Sequence, residues 1–322
     1  MGAAIGLFAI VVLGWGTTWS VTKLIVQNVP PLWAVVLRSW IALAAVLAIQ
    51  LATRSIIVPK REDAPAVLSV ALLHMTAFAT LVAAGLTLVS AGHAVVLAYT
   101  TPLWVAAMAP VFLGEQLTRA RLGGIAAGVA GLAIFFAPQS LDWTESRTLQ
   151  GSALILFAAT LWAVNIVSLR RHRWIATPFQ LLLWQILISA MVLTAAAMTI
   201  EGQPILVWTN RLIALLAYNG IIGTALTYWA MSTINKSLPA LTTSLGILAT
   251  PLVGLASAAL MLGERIEPPL IVAAGLILSG IAIGTIERKP KRLLLKDRVT
   301  VGTSPASQAQ SLRTERPAQQ CS

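Results

Sequence analysis

Residues 95–134 recur, without insertion or deletion, as residues 244–283 of this 322-residue chain. Thr101, Pro102, Leu103, Ala107, Ala109, Leu113, Gly114, Glu115, Gly131, Ala133 and Ile134 return 149 positions later as Thr250, Pro251, Leu252, Ala256, Ala258, Leu262, Gly263, Glu264, Gly280, Ala282 and Ile283. Identities at one constant offset are hard to reach by chance, even in an alphabet narrowed to Ala, Leu, Val and Gly. The chain is therefore two related halves, and both copies are apolar enough to lie in lipid. A duplicated apolar half is the sequence mark of a transporter.

Composition fixes the solvent. With 57% hydrophobic residues, 10% charged residues and a mean hydropathy of +0.83, the chain carries more apolar surface than a soluble domain of its length can cover. A bilayer can cover it. The one cysteine, Cys321, lies next to the C-terminus, so there is no disulfide framework and no cysteine-based metal site. The net charge of +11 does not point to nucleic acid, because the basic residues sit in short loops between apolar runs and in the tail, and no groove-reading motif is present.

Runs of about 20 apolar residues span the hydrocarbon core as helices. The pattern predicts ten transmembrane helices, over residues 3–23, 31–53, 64–88, 93–113, 119–137, 151–170, 177–200, 210–234, 239–262 and 268–286. Met1 to Ala9 carries no basic side chain, so the first span is expected to stay in the mature protein rather than act as a cleaved leader. With a cytoplasmic N-terminus, Arg54, Lys60, Arg61, Arg119, Arg121, Arg170, Arg171, Arg173 and Lys236 fall in inner loops, against Lys23, Arg147, Arg211 and Arg265 outside. That bias, with the basic tail, places both termini in the cytoplasm and the chain in a bacterial inner membrane.

Five helices is an odd number, so the second half must cross upside down relative to the first. The loops agree. After Gly114-Glu115 comes a stretch with Arg119 and Arg121, whereas Gly263-Glu264 is followed by Arg265, Ile266, Glu267, Pro268 and Pro269. The expected organisation is an all-α integral membrane protein of two inverted five-helix repeats, 1–138 and 151–286. An outer linker, 139–150, joins them, and a basic, disordered cytoplasmic tail, 287–322, follows.

These features resemble the drug/metabolite transporter superfamily and, within it, the EamA-type permeases with two five-helix repeats. Trp15-Gly16-Thr17-Thr18-Trp19, Pro30-Pro31 leading to Leu37-Arg38, and Thr101-Pro102-Leu103 followed by Gly114-Glu115 look like that family's first repeat. Trp162-Ala163-Val164-Asn165 and Thr250-Pro251-Leu252 followed by Gly263-Glu264 look like its second. The resemblance covers roughly residues 3–286. It implies a secondary carrier of small metabolites, often an exporter of amino acids, nucleosides or toxic compounds, that works without ATP. It also implies a central cavity surrounded by the first four helices of each half, with the fifth and tenth packed together at one side.

Several residues could line such a cavity. Trp15, Thr18, Trp19 and Thr22 share one helical face and suit an amphipathic solute, although the hydroxyls could equally bond the preceding turn and the indoles fill space. Trp162 and Asn165 stand near the equivalent place in the sixth span. Pro102 and Pro251 are expected to break their helices at matched positions, which in a repeat protein points to the transport site; a purely structural kink is the competing account. Tyr99, one turn before Pro102, is then a candidate contact. His74 could shuttle a proton or bond a solute, or be a packed, hydrogen-bonded histidine. Tyr228 and Trp229 could stack on a solute or simply pack. Arg38, seven residues into the second span, costs on the order of 3 kcal/mol to insert. Snorkelling or capping of helix carbonyls competes there with contact to an anion.

Gly124, Gly128, Gly131, Gly280 and Gly284 form small-residue faces for close helix approach, and Trp33, Trp143, Trp174 and Trp208 fit an interfacial belt. No Asp or Glu lies mid-span, which weighs against antiport through a membrane carboxylate and leaves His74 or an uncoupled facilitator. No catalytic cluster, metal site or cofactor motif is visible, so an enzyme is not expected. The expected function is export of small metabolites such as amino acids by alternating access; an uncoupled facilitator, a channel or a membrane scaffold is the alternative. Partners are then the small-molecule substrate, membrane lipid and, as candidate coupling ion, protons, with the chain a monomer or homodimer.

Overall fold

A computed structural model describes residues 2–116, 118–136, 145–237 and 247–285. Among them no strand occurs, and the chain is a succession of helices. Seven helical segments are long and apolar enough to cross a membrane: Ile5–Val26, Pro31–Ala52, Arg61–Leu88, Ala91–Leu113, Ser146–Arg171, Pro178–Ile200 and Asn210–Ile234. Thr250–Leu262 and Pro268–Gly284 are shorter apolar helices. Large apolar side chains such as Leu13, Val111, Phe157 and Leu260 are exposed around them, a surface that only lipid can solvate. The chain is an integral membrane protein.

The elements are α1 (Gly2–Val26), α2 (Pro31–Ala52), α3 (Ala64–Ser69), a π-helical stretch (Val70–Phe78) and α4 (Ala79–Leu88). Then come α5 (Ala91–Ala98), α6 (Thr101–Leu113), α7 (Arg119–Phe135), α8 (Ser146–Arg171) and α9 (Pro178–Ile200). The remainder is α10 (Asn210–Ala217), a second π-helical stretch (Tyr218–Leu226), α11 (Thr227–Ser237), α12 (Thr250–Leu262) and α13 (Pro268–Thr285). α8 begins at Ser146, so the last residues of the expected linker are helical. The rest of that linker with Trp143, the start of the ninth predicted span and the basic tail lie outside the described residues.

Helix ends are held by chemistry that crosses the sequence. Four N–H groups at each helix start have no partner within the helix. The Glu201 carboxylate accepts from the Leu32 and Trp33 amides at 3.0 and 3.2 Å, at the start of α2. Glu264 does the same for Ala91 and Gly92 at the start of α5, at 2.7 and 2.9 Å. Asp63, fully buried, accepts from the Ile175 and Ala176 amides just before α9 and pairs with His172 at 2.9 Å. α9 itself opens on a reciprocal Thr177–Gln180 capping box. At the other polarity, the Lys23 ammonium donates to the Leu86 and Val89 carbonyls that end α4.

Matched places in the two repeats share unusual backbone. α6 and α12 both end on a glycine in the left-handed region, Gly114 at φ 66° and Gly263 at φ 67°. Thr76 Oγ1 donates to the Ala71 carbonyl in the first π-helical stretch, and Thr224 Oγ1 to the Asn219 carbonyl in the second, each five residues back. The prolines correct the sequence reading in one respect. The helix does not bend around Pro102: α5 ends at Ala98, and Pro102 stands in the first turn of α6, where its missing N–H costs nothing. Pro251 stands likewise in the first turn of α12. Of the carbonyls freed at the first break, that of Leu97 accepts from Thr100 Oγ1 and that of Ala98 from Thr101 Oγ1, which also lies 3.2 Å from the Ala159 carbonyl of α8.

α7 and α13 pack together through their glycines, within the chain. A methyl group at Gly124 would collide with the Gly280 carbonyl, and one at Gly280 with the Gly124 carbonyl. Gly131 stands against Ala273 in the same way, with 2.9 Å left for an added carbon. Trp33 is a second correction: it is buried in the core and donates to the Gly202 carbonyl at 2.8 Å, so it is no lipid-facing belt residue. Trp174 and Trp208 are exposed.

Candidate functional site

Rings from four helical segments meet in the interior. The first π-helical stretch presents His74 and, four residues on, Phe78. α8 presents Trp162, whose indole lies parallel to the His74 imidazole with centroids 5.2 Å apart and tilts over Phe78 at 5.0 Å. α11 supplies Tyr228, whose hydroxyl is 3.3 Å from His74 Nδ1. α1 supplies Trp15, edge-on to Tyr228 with centroids 5.6 Å apart. Each half thus contributes one tryptophan, and each indole packs on a ring carried beside a π-helical stretch.

A π turn places an extra residue in the helix, opening the backbone ladder and displacing the side chains that follow it. Four residues apart, His74 and Phe78 both face α8, while Thr76 between them turns to Ser189 of α9 at 3.0 Å. Around the rings lies a polar layer: Ser69 donates to Asn165 at 2.9 Å, Asn219 Nδ2 to Thr22 at 2.9 Å, and Thr17 and the Tyr218 hydroxyl are 2.6 Å apart. Arg38 of α2 lies within electrostatic reach of both His74 and Tyr228. A set of aromatic faces with one imidazole, two phenols and a guanidinium can hold a small amphipathic solute by stacking and hydrogen bonding. Among the described residues no group of His, Cys, Asp and Glu is spaced to hold a metal ion.

The structure brings Trp15, His74, Trp162 and Tyr228 together, with Arg38 nearby. It does not bring the rest of the predicted set to the same place. Trp19 is buried in a packing core with Leu86, Leu97 and Leu255. Thr18 bonds the Gly14 carbonyl at 2.6 Å. Trp229 is the exception: it packs with Trp15 against the Val11, Ala230 and Ile234 cluster and with Tyr228 against the cluster of Val70, Met75 and Ala225, at the edge of the rings. Tyr99 lies beside Thr250, so that the break before α6 meets the break before α12. Asn165 is buried next to the ring cluster on the α3 side.

Phe78, Ser69 and Asn219 were not singled out by sequence reasoning. Phe78 could have been, as the residue one turn after His74. Asn219, an amide inside an apolar span, was a signal of the same kind. A separate recess of about 330 Å³ at the far end of α1 has Lys23, Gln27, Arg211 and Glu264 in its lining.

Known proteins align along most of the chain. The sequence profile of the EamA-like transporter family matches residues 2–137 and again residues 149–285. An uncharacterized transporter of Bacillus subtilis, YoaV, is 26% identical over 85% of this chain and 94% of its own. A protein of Salmonella typhimurium named as a probable amino-acid metabolite efflux pump is 25% identical over 89% of this chain and 96% of its own. One solved crystal structure superposes with a TM-score of 0.62 at 20% identity, covering 88% of this chain and 97% of that one, a likeness of fold alone.

Proposed function

Since the chain belongs to the EamA-like transporter family, we propose that it exports small metabolites, amino acids or related compounds, by alternating access about the interior ring cluster. The observation that carries this reading is the cluster itself: two indoles, an imidazole and a phenol assembled from both repeats in the middle of helices that cross the membrane. An aromatic and hydrogen-bonding surface built jointly by two halves is what a carrier needs if the halves are to rock around a bound solute.

In this reading the ten helices form two inverted five-helix repeats, 1–138 and 151–286, with both termini and the tail on the cytoplasmic side of a bacterial inner membrane. The matched π-helical stretches, matched left-handed glycines and matched helix breaks support it. The efflux names of two relatives, the second in Escherichia coli at 26% identity, support export of amino-acid metabolites. Trp15, His74, Trp162, Tyr228 and Asn165 are the proposed solute-facing residues, and Trp19, Thr18, Tyr99 and Trp229 act in support. The chain works as a monomer or homodimer without cofactor. The absence of a carboxylate in the middle of any predicted span favours, as a second reading, a facilitator without proton coupling.

Purified protein in liposomes, challenged with amino acids, nucleosides, sugars and organic cations with and without a pH gradient, tests both readings. Saturable flux with exchange across the membrane is expected for a carrier, and gradient dependence separates coupled from uncoupled transport. Trp15→Ala and Trp162→Ala should cut flux at least tenfold at normal abundance. Parental rates in both variants would remove the ring cluster from the site.

A further inference from the structure

We propose that Arg38 is the anion-recognition point of this site, so that the transported solutes carry a carboxylate beside an apolar or aromatic body. The inference rests on the carrier reading above.

Arg38 faces inward. Trp40, two residues further along α2, is 42% exposed and donates to Thr194. Two residues are about 200° of helix, so Arg38 is on the opposite side, only partly exposed. There it lies within electrostatic reach of Tyr228 and His74, members of the ring cluster from two other segments. α2 comes close to the second π-helical stretch at that level, where an added carbon on Gly220 would stand 3.0 Å from the Arg38 carbonyl.

Arg38 also lacks the partners that hold several other charged residues at the helix ends. Lys23 spends its protons on two helix-end carbonyls. Glu201, Glu264 and Asp63 are each occupied by two backbone amides, and Glu115 by Arg121 and Arg170. Among the described residues the Arg38 side chain makes no hydrogen bond and no ion pair. The carbonyl capping that would explain it structurally is therefore not made, and its inward face argues against snorkelling.

A guanidinium presents a planar fork of donors that matches a carboxylate with two parallel bonds. The remaining surface is aromatic and takes an apolar body. No acidic side chain joins the set, so a solute whose only charge is an ammonium meets Arg38 without a counter-charge. A single cation also suits a monoanion better than a phosphate dianion.

Matched probes in proteoliposomes test this: phenylalanine, 3-phenylpropionate, phenylalaninol, phenethylamine and phenyl phosphate, with leucine, leucinol and isoamylamine as the aliphatic set. Carboxylate-bearing probes should be carried, and their twins lacking the carboxylate at least tenfold less well, the order of effect of one charge-assisted pair. Arg38→Gln should raise KM for the carboxylates tenfold or more, and Arg38→Lys by less, since it keeps the charge and loses the fork. Equal transport of alcohol or amine twins, preference for phenyl phosphate, or an unchanged KM in a folded Arg38→Gln variant overturns the proposal. If that variant fails to fold, the probe series on the native protein decides. Native protein that moves only sugars, nucleosides or amines keeps the carrier reading and sinks this one. Native protein that moves nothing from any class removes both.

Discussion

Glu264 and Glu115 occupy twin positions, each directly after a left-handed glycine that closes a helix starting with Thr-Pro-Leu. Their local geometry is nearly the same, and their partners are not. Glu264 reaches across the protein to two amides at the start of α5, whereas Glu115 pairs with Arg121 of α7 at 2.7 Å and Arg170 of α8 at 3.6 Å and is about a third exposed. The turn follows from its own few residues. The partner follows from the loop that comes next, which is basic after Glu115 and carries paired prolines after Glu264.

The comparison can be broken by removing each carboxylate in turn. Glu264→Ala strands two N–H groups at a helix start and is expected to cost about 2–3 kcal/mol, read as a fall in thermal unfolding temperature in detergent. A loss no larger than that of Glu115→Ala would show the staple to be incidental. Next in size, Gly263→Ala and Gly114→Ala should each cost about 1 kcal/mol, because both impose left-handed backbone on a residue with a side chain. Unequal losses would mean that something beyond the turn acts at one of them. The smallest effect belongs to Glu115→Ala, under about 1 kcal/mol for partly exposed pairs. It should shrink further between 0.05 and about 0.5 M salt, where screening acts, while the Glu264→Ala loss should persist.

The repeat, seven of the membrane-crossing segments and the glycine faces were legible because each depends on periodicity or identity along the chain. Hydropathy cannot register the π-helical stretches, since an extra residue per turn leaves an apolar run as apolar as before. Trp15 and Trp19 look alike on a helical wheel, and only the neighbours brought by α5 and α12 send Trp19 into a packing core while Trp15 meets Tyr228. Trp33 looked like a belt residue until Gly202 supplied an acceptor from a distant loop. Pro102 stands at a helix start and not at a bend in a helix interior, because its place relative to the break depends on where α5 ends. The solvent and the helical runs are written locally; which ring meets which is a tertiary fact.

The seam between α7 and α13 limits how the two halves can change with time. At Gly124 and Gly280 the obstacle to a side chain is the other helix's peptide carbonyl, which no substitution can trim. Neither position can take a side chain and be rescued by trimming the residue opposite, so along this ridge both halves are held to bare backbone.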